Sequence, residues 1–178
     1  MKTLFALILI VPLAISAAAK KEEISLAKIK MFNDLIEIKV PTTFTVLHDF
    51  EVKKMYGEKD LPKVVYTNAD KTIRIAFRNK KSGDQSKPSV FKDSFYADWL
   101  KADPKMKELS NGVTTVDGRE MAFAGVLHKT PEKEFQFLFC TIYKGMFMSG
   151  EIISPKKGYK PWVELGNQIM NSLHINEK

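Results

Sequence analysis

The sequence predicts an α+β fold: a three-layer α/β/α sandwich in which a central, mostly antiparallel sheet is flanked by helices. Three observations predict it. Residues 134–143 set Phe135, Phe137, Phe139 and Tyr143 on one side and Leu138, Cys140 and Ile142 on the other, so both faces are apolar and both need a cover. Residues 119–128 repeat the pattern, with Met121, Phe123 and Leu127 against the smaller Ala122, Ala124 and Val126. Two amphipathic helical stretches, 89–101 and 161–173, are available as covers.

The elements follow in order. Residues 1–19 read as a secretory signal peptide: Lys2 near the start, an apolar run from Leu4 to Ile15 broken by Pro12, then Ser16-Ala17-Ala18-Ala19 as a small-residue exit. The run is short for a bilayer span, which takes about 20 residues, so no stable membrane anchor is expected after cleavage. Residues 20–178 then form a single domain. An Asn33-Asp34 turn joins two strands, the second with Ile36, Ile38 and Val40 inward, Glu37 and Lys39 outward, and Pro41 at its end. Residues 47–56 hold a short helix with Phe50, Val52, Met55 and Tyr56 as its stripe and Asp49 as its cap. Residues 63–67 and 72–78 are strands about the turn 68–71, the second with Ile73, Ile75 and Phe77 in and Arg74 and Arg78 out.

Residues 80–88 are a polar loop. The helix 89–101 places Phe91, Phe95 and Trp99 on one face, with Leu100 and Ala102 beside them. Ser89 is its expected cap, and Asp103-Pro104 ends it. Two hairpins follow: 113–116 with 119–129 about Asp117-Gly118, then 134–143 with 146–154 about Lys144-Gly145, with a turn at 130–133 between them. The closing helix starts with Pro161 in its first turn and lines Trp162, Leu165, Ile169, Met170 and Leu173 along one face.

The formal charge is +7, spread mostly over lysines without interleaved exposed aromatics, which favours solubility over nucleic-acid binding. One cysteine, Cys140, permits no internal disulfide and reads as a small buried hydrophobe. His48, His128 and His174 lack metal-ligand spacing, Ser149 lacks the glycines of a nucleophile elbow, and no phosphate loop occurs. No catalytic residue, metal or cofactor is therefore assigned. Two features form the candidate contact surface: Arg74 and Arg78 beside Lys80 and Lys81, and Met146, Phe147 and Met148 after the last hairpin turn. Their plainer readings are a solvated basic edge and core filling.

Four segments carry a family resemblance. They are Ile36-Glu37-Ile38-Lys39-Val40-Pro41-Thr42-Thr43-Phe44, the pair Leu61-Pro62-Lys63-Val64-Val65-Tyr66-Thr67-Asn68 and Thr72-Ile73-Arg74-Ile75, then Gly118-Arg119-Glu120-Met121-Ala122-Phe123, and Met170-Asn171-Ser172-Leu173. Over most of residues 29–175 the chain resembles the PsbP-like superfamily, which includes DcrB-like bacterial envelope proteins. It departs at Thr42-Thr43-Phe44, where a tryptophan is common, and has no lipobox cysteine. The resemblance implies an α/β/α sandwich and a binding or accessory role more often than catalysis. Members serve photosystem assembly, a nuclear GTPase and envelope processes, and no family site transfers residue by residue. The expected function is an exported, non-enzymatic binding or accessory protein of the bacterial envelope, periplasmic or secreted, that engages a protein partner. The alternatives are a periplasmic carrier of a small apolar ligand beside Phe91, Phe95 and Trp99, and an unrecognised hydrolase using Ser149 and His128.

Overall fold

A computed structural model describes residues 24–58, 61–82, 87–129 and 134–177. The leader at 1–19 and the turn at 130–133 lie outside the described residues. The chain folds as an α+β sandwich, and every strand pairing among the described residues is antiparallel. Its centre is a seven-stranded sheet in the order β3-β4-β5-β9-β8-β7-β6. These strands are β3 (Thr45–Val46), β4 (Val64–Thr67), β5 (Arg74–Lys81), β6 (Lys107–Val116), β7 (Arg119–Leu127), β8 (Glu134–Tyr143) and β9 (Met146–Pro155).

Both faces of this sheet are covered, as the two-sided strands require. One face receives α1 (Asp49–Tyr56) and α2 (Pro88–Ala102). Under α2, Phe91 and Phe95 pack on Ala122, Cys140 and Phe147. Under α1, Leu47 and Val52 meet Val65 and Ala76. The small side chains of β7 and β5 are what let the helices approach. The other face carries the large side chains, with Phe135, Phe137 and Phe139 at most 1% exposed. Each contributes roughly 2–3 kcal/mol by leaving water.

The cover on that second face is not a helix alone. α3 (Lys160–Asn171) shares it with a three-stranded sheet, in the order β1-β2-β10, made of β1 (Leu26–Met31), β2 (Ile36–Pro41) and β10 (His174–Ile175). Ile36, Ile38 and Val40 of β2 point inward as the alternation predicts, and they join Trp162, Leu165 and Ile169 of α3 in the main core. The Lys39 N–H donates to Ser172 Oγ at 2.8 Å, fastening β2 to the end of α3.

Several local expectations are corrected. The first hairpin turn is four residues long and places Phe32, Asn33 and Asp34 all at positive φ. His48, not Asp49, precedes α1, with the Glu51 carboxylate accepting its N–H at 3.3 Å. Phe50 is 69% exposed, because Val52 alone faces the sheet squarely. α2 starts at Pro88, after Lys87, rather than behind a Ser89 cap. Leu100 is exposed, because α2 turns only its Phe91 and Phe95 side to the sheet. β6 begins at Lys107 rather than at residue 113: as an outermost strand it needs little apolar alternation.

Candidate functional site

The described cleft lies at one end of the sandwich, where the β1–β2 turn, the β8–β9 turn and the last residues converge. It has a volume of about 270 Å³ and is lined by Asn33, Leu35, Tyr143, Lys144, Met146 and Asn176. Its walls are held from several directions. Asn176 donates its N–H to Leu35 O at 2.9 Å and its Nδ2 to Asp34 O at 2.7 Å. Lys144 and Gly145 both adopt positive φ, the geometry of a tight hairpin turn. Three consecutive non-glycine residues in the left-handed region, 32–34, store strain that the surrounding contacts must hold.

The Tyr143 ring is flanked by two cations, with the Arg119 guanidinium and the Lys144 ammonium each 5.0 Å from its centre. Arg119 is itself anchored on Asp117 at 3.1 Å and paired with Glu177. Asp117 is a second fastening at this end. Its Oδ2 accepts the Ile175 N–H at 2.9 Å and its Oδ1 lies 2.7 Å from His174 Nδ1. Burial pushes the Asp117 carboxyl up, but the Ile175 N–H and His174 more than offset it and hold it below the usual range.

The candidate contact residues converge only in part. Met146 lines the cleft. Phe147 and Met148 are core side chains, and the Phe147 ring stacks on Phe91 with centroids 3.9 Å apart. Arg74 and Arg78 lie on β5, which is flanked by β4 and β9 and is no edge. Arg78 reaches Glu151 at 3.0 Å with both side chains about 15% exposed, and Arg74 reaches Glu134 at 3.5 Å. Both guanidiniums lie over the Tyr56 ring, at 5.6 and 5.8 Å. Burial pushes the Tyr56 hydroxyl up to about 12. Arg74 pairs across β9 with Ile153, about 23 Å along the strand from Met146, whereas Arg78 pairs with Ser149 and Lys80 pairs with Phe147, its ammonium 5.7 Å from the ring centre.

The groups considered for hydrolysis are also separate. Ser149 pairs with Cys140, while the His128 ring bonds to Gln136 at 3.0 Å, four residues earlier on β8, or about 13 Å away. His128 serves packing instead. It lies 3.6 Å from Asp103 and edge-on to Trp99, and Asp103 also accepts the N–H groups of Lys105 and Lys129, closing α2 onto the end of β7. Among the described residues, no three His, Cys, Asp or Glu side chains are grouped to hold a metal. Cys140 is wholly buried with Sγ 3.4 Å from Pro88 O, and burial pushes its thiol up to about 12.

Sequence reasoning missed the cleft, because residues 33, 35, 119, 143 and 176 carry no shared local pattern. It also missed Lys92, which is 8% exposed with its ammonium 2.7 Å from Asn111 Oδ1 and 2.7 Å from Asp93.

No family model matches the chain, and no curated protein matches its sequence. Solved structures match its shape. PsbP (CyanoP) of the cyanobacterium Synechocystis sp. PCC 6803 aligns with a TM-score of 0.64 at 10% identity, covering 91% of this chain and 99% of that one. Mog1p, a Ran-binding protein of Saccharomyces cerevisiae, aligns at 0.59 and 11% identity, covering 86% and 96%. LpqN, involved in cell envelope biogenesis of Mycobacterium tuberculosis, aligns at 0.59 and 15% identity, covering 86% and 92%. The chain therefore has the PsbP-like fold, as its segments suggested.

Proposed function

We propose that this protein is an exported, non-enzymatic binding or accessory protein of a bacterial cell envelope, and that it engages a protein partner at the turn-end cleft. The composition of that cleft supports the reading. Met146 and Leu35 offer adaptable apolar contact, Tyr143 is an aromatic anchor between two cations, and Asn33 and Asn176 supply amides. This is the mixture of a protein interface. At about 270 Å³ the cleft stands at the small end of ligand sites, a size that also fits a partner's side chain.

Two structural neighbours bear names consistent with such a role, a Ran-binding protein and an envelope biogenesis protein. The leader at 1–19 supplies the export, and hence a periplasmic or secreted location. Carriage of a small apolar ligand has less support, since Phe91 lies directly on Phe147.

The test is a photo-crosslinking residue placed at Met146 in growing cells, with the same residue at exposed Ser94 of α2 as the comparison. A discrete heavier adduct from position 146, absent from position 94 and lost on Lys144→Glu, is the expected result. No adduct, or the same adduct from both positions, overturns the proposal.

A further inference from the structure

Among the described residues the two sheets have four outer strands, and three of them are protected against strand addition. β3 and β10 are two residues long. β1 carries Lys28 and Lys30, both paired with Glu37. Short edges and edge lysines are the usual defences. β6 is different: it runs ten residues, Lys107–Val116. Its charged residues are Lys107 and Glu108, and its one irregularity falls between Glu108 and Ser110, so its defences end early. From Ser110 to Val116 it reads Ser-Asn-Gly-Val-Thr-Thr-Val, without charge or proline and closing on four strong strand formers. Val113, at the centre of that stretch, is 50% exposed.

We propose that β6 is a dimerisation edge, onto which a second copy of this chain adds its own β6 antiparallel with the two-fold axis at Val113. The stretch is complementary to itself about that point. Val113 then faces Val113, Gly112 faces Thr114 and Asn111 faces Thr115. Two half-exposed valines cover each other, and no like charges are opposed. Gly112 is roofed by the Phe123 ring of its own chain, 3.1 Å from where a Cβ would stand, so the incoming Thr114 meets that ring rather than a side chain on Gly112. Lys92 steadies Asn111 from α2. An isologous contact closes at two copies and doubles the seven-stranded sheet. A foreign strand finds no charge here by which to be selected. The net charge of +7 opposes association of two copies, so added salt strengthens the dimer.

Sedimentation equilibrium of the full chain between about 1 μM and 1 mM tests this. The expected result is a monomer–dimer equilibrium that tightens with salt. Val113→Lys, which sets two like charges face to face on the axis, weakens it by about tenfold or more while leaving the thermal melt of dilute, monomeric protein unchanged. Val113→Cys forms an inter-chain disulfide under mild oxidation, and Leu100→Cys on α2 does not. Buried Cys140 does not compete. A monomer throughout the range, a dimer indifferent to Val113→Lys, or a Val113→Cys chain that fails to cross-link overturns the proposal. If Val113→Lys does not fold, the cysteine pair decides alone.

Discussion

Phe139 fills the space that a side chain on Gly150 would need. The two are cross-strand partners on β8 and β9, and a Cβ on Gly150 would stand 2.1 Å from the tip of the ring. The arrangement recurs at Gly125 opposite Phe137 and Gly112 opposite Phe123. Each ring folds across its neighbour's strand instead of standing upright, which lays the aromatic face of the sheet flat for α3. Gly166 of α3 completes this, its Cβ position lying 2.9 Å from Phe137.

Gly150→Ala is therefore expected to destabilise the fold by about 1–3 kcal/mol through overpacking, and Phe139→Ala by about 3–5 kcal/mol through loss of a buried ring. The double variant should cost clearly less than the sum, because removing the ring removes the clash. Denaturant titration of the four proteins checks this, and strict additivity would show that the ring is not the cause.

Asp117 predicts an acid-side loss of stability. Its folded carboxyl titrates below the ordinary range, so its contribution is complete above that range and lost as pH falls through the folded value. Asp117→Asn tolerates the same positive φ and keeps the turn, but weakens the bonds to Ile175 and His174. The expected cost at neutral pH is about 1 kcal/mol, shrinking toward zero as pH falls. Stability curves of the two proteins from neutral to acid pH should converge, and parallel curves contradict the assignment.

Cys140 should be inert in the native state. Burial raises its thiol to about 12, and the sulfur is enclosed beneath the start of α2. A thiol reagent at about pH 8 should modify the chain only at the rate of unfolding, and in full once denatured. Rapid modification of the folded protein would place α2 away from the sheet.

The Arg78–Glu151 pair should behave as a shielded ion pair. With both side chains about 15% exposed, Glu151→Leu alone is expected to cost about 2 kcal/mol, since it removes the carboxylate 3.0 Å from a largely buried guanidinium. Arg78→Met added to it should recover most of that loss. Chemical denaturation of the single and double variants measures the recovery, and a double variant as unstable as the two losses combined would refute the pairing argument.

Much of the fold was legible in residue alternation, and the reason is physical. Strands 134–143 and 119–127 are covered on both faces, so their patterns report burial directly. Val52, Trp162 and Ile169 were legible for the same reason. The second sheet was not. The alternation of Ile36, Ile38 and Val40 states that one face is buried, not which sheet the strand joins, and β10 is only two residues long. Arg74 and Arg78 misled because charge alternation looks the same whether water or Glu134 and Glu151 receive it. The cleft escaped because it is assembled from two hairpin turns and the residues after β10, all far apart in the chain.

The three-stranded sheet ties together segments far apart in the chain: Ile36 of the first described hairpin pairs with Ile175. During synthesis that third strand cannot be supplied until residue 175 has emerged, 139 residues after Ile36. Until then the hairpin's apolar side has neither β10 nor α3 to rest on, and it stays open to whatever binds nascent hydrophobic strands. A nascent chain that has not yet reached residue 175 is thus kept from this packing by its own topology, and the emergence of His174–Ile175 acts as the latch.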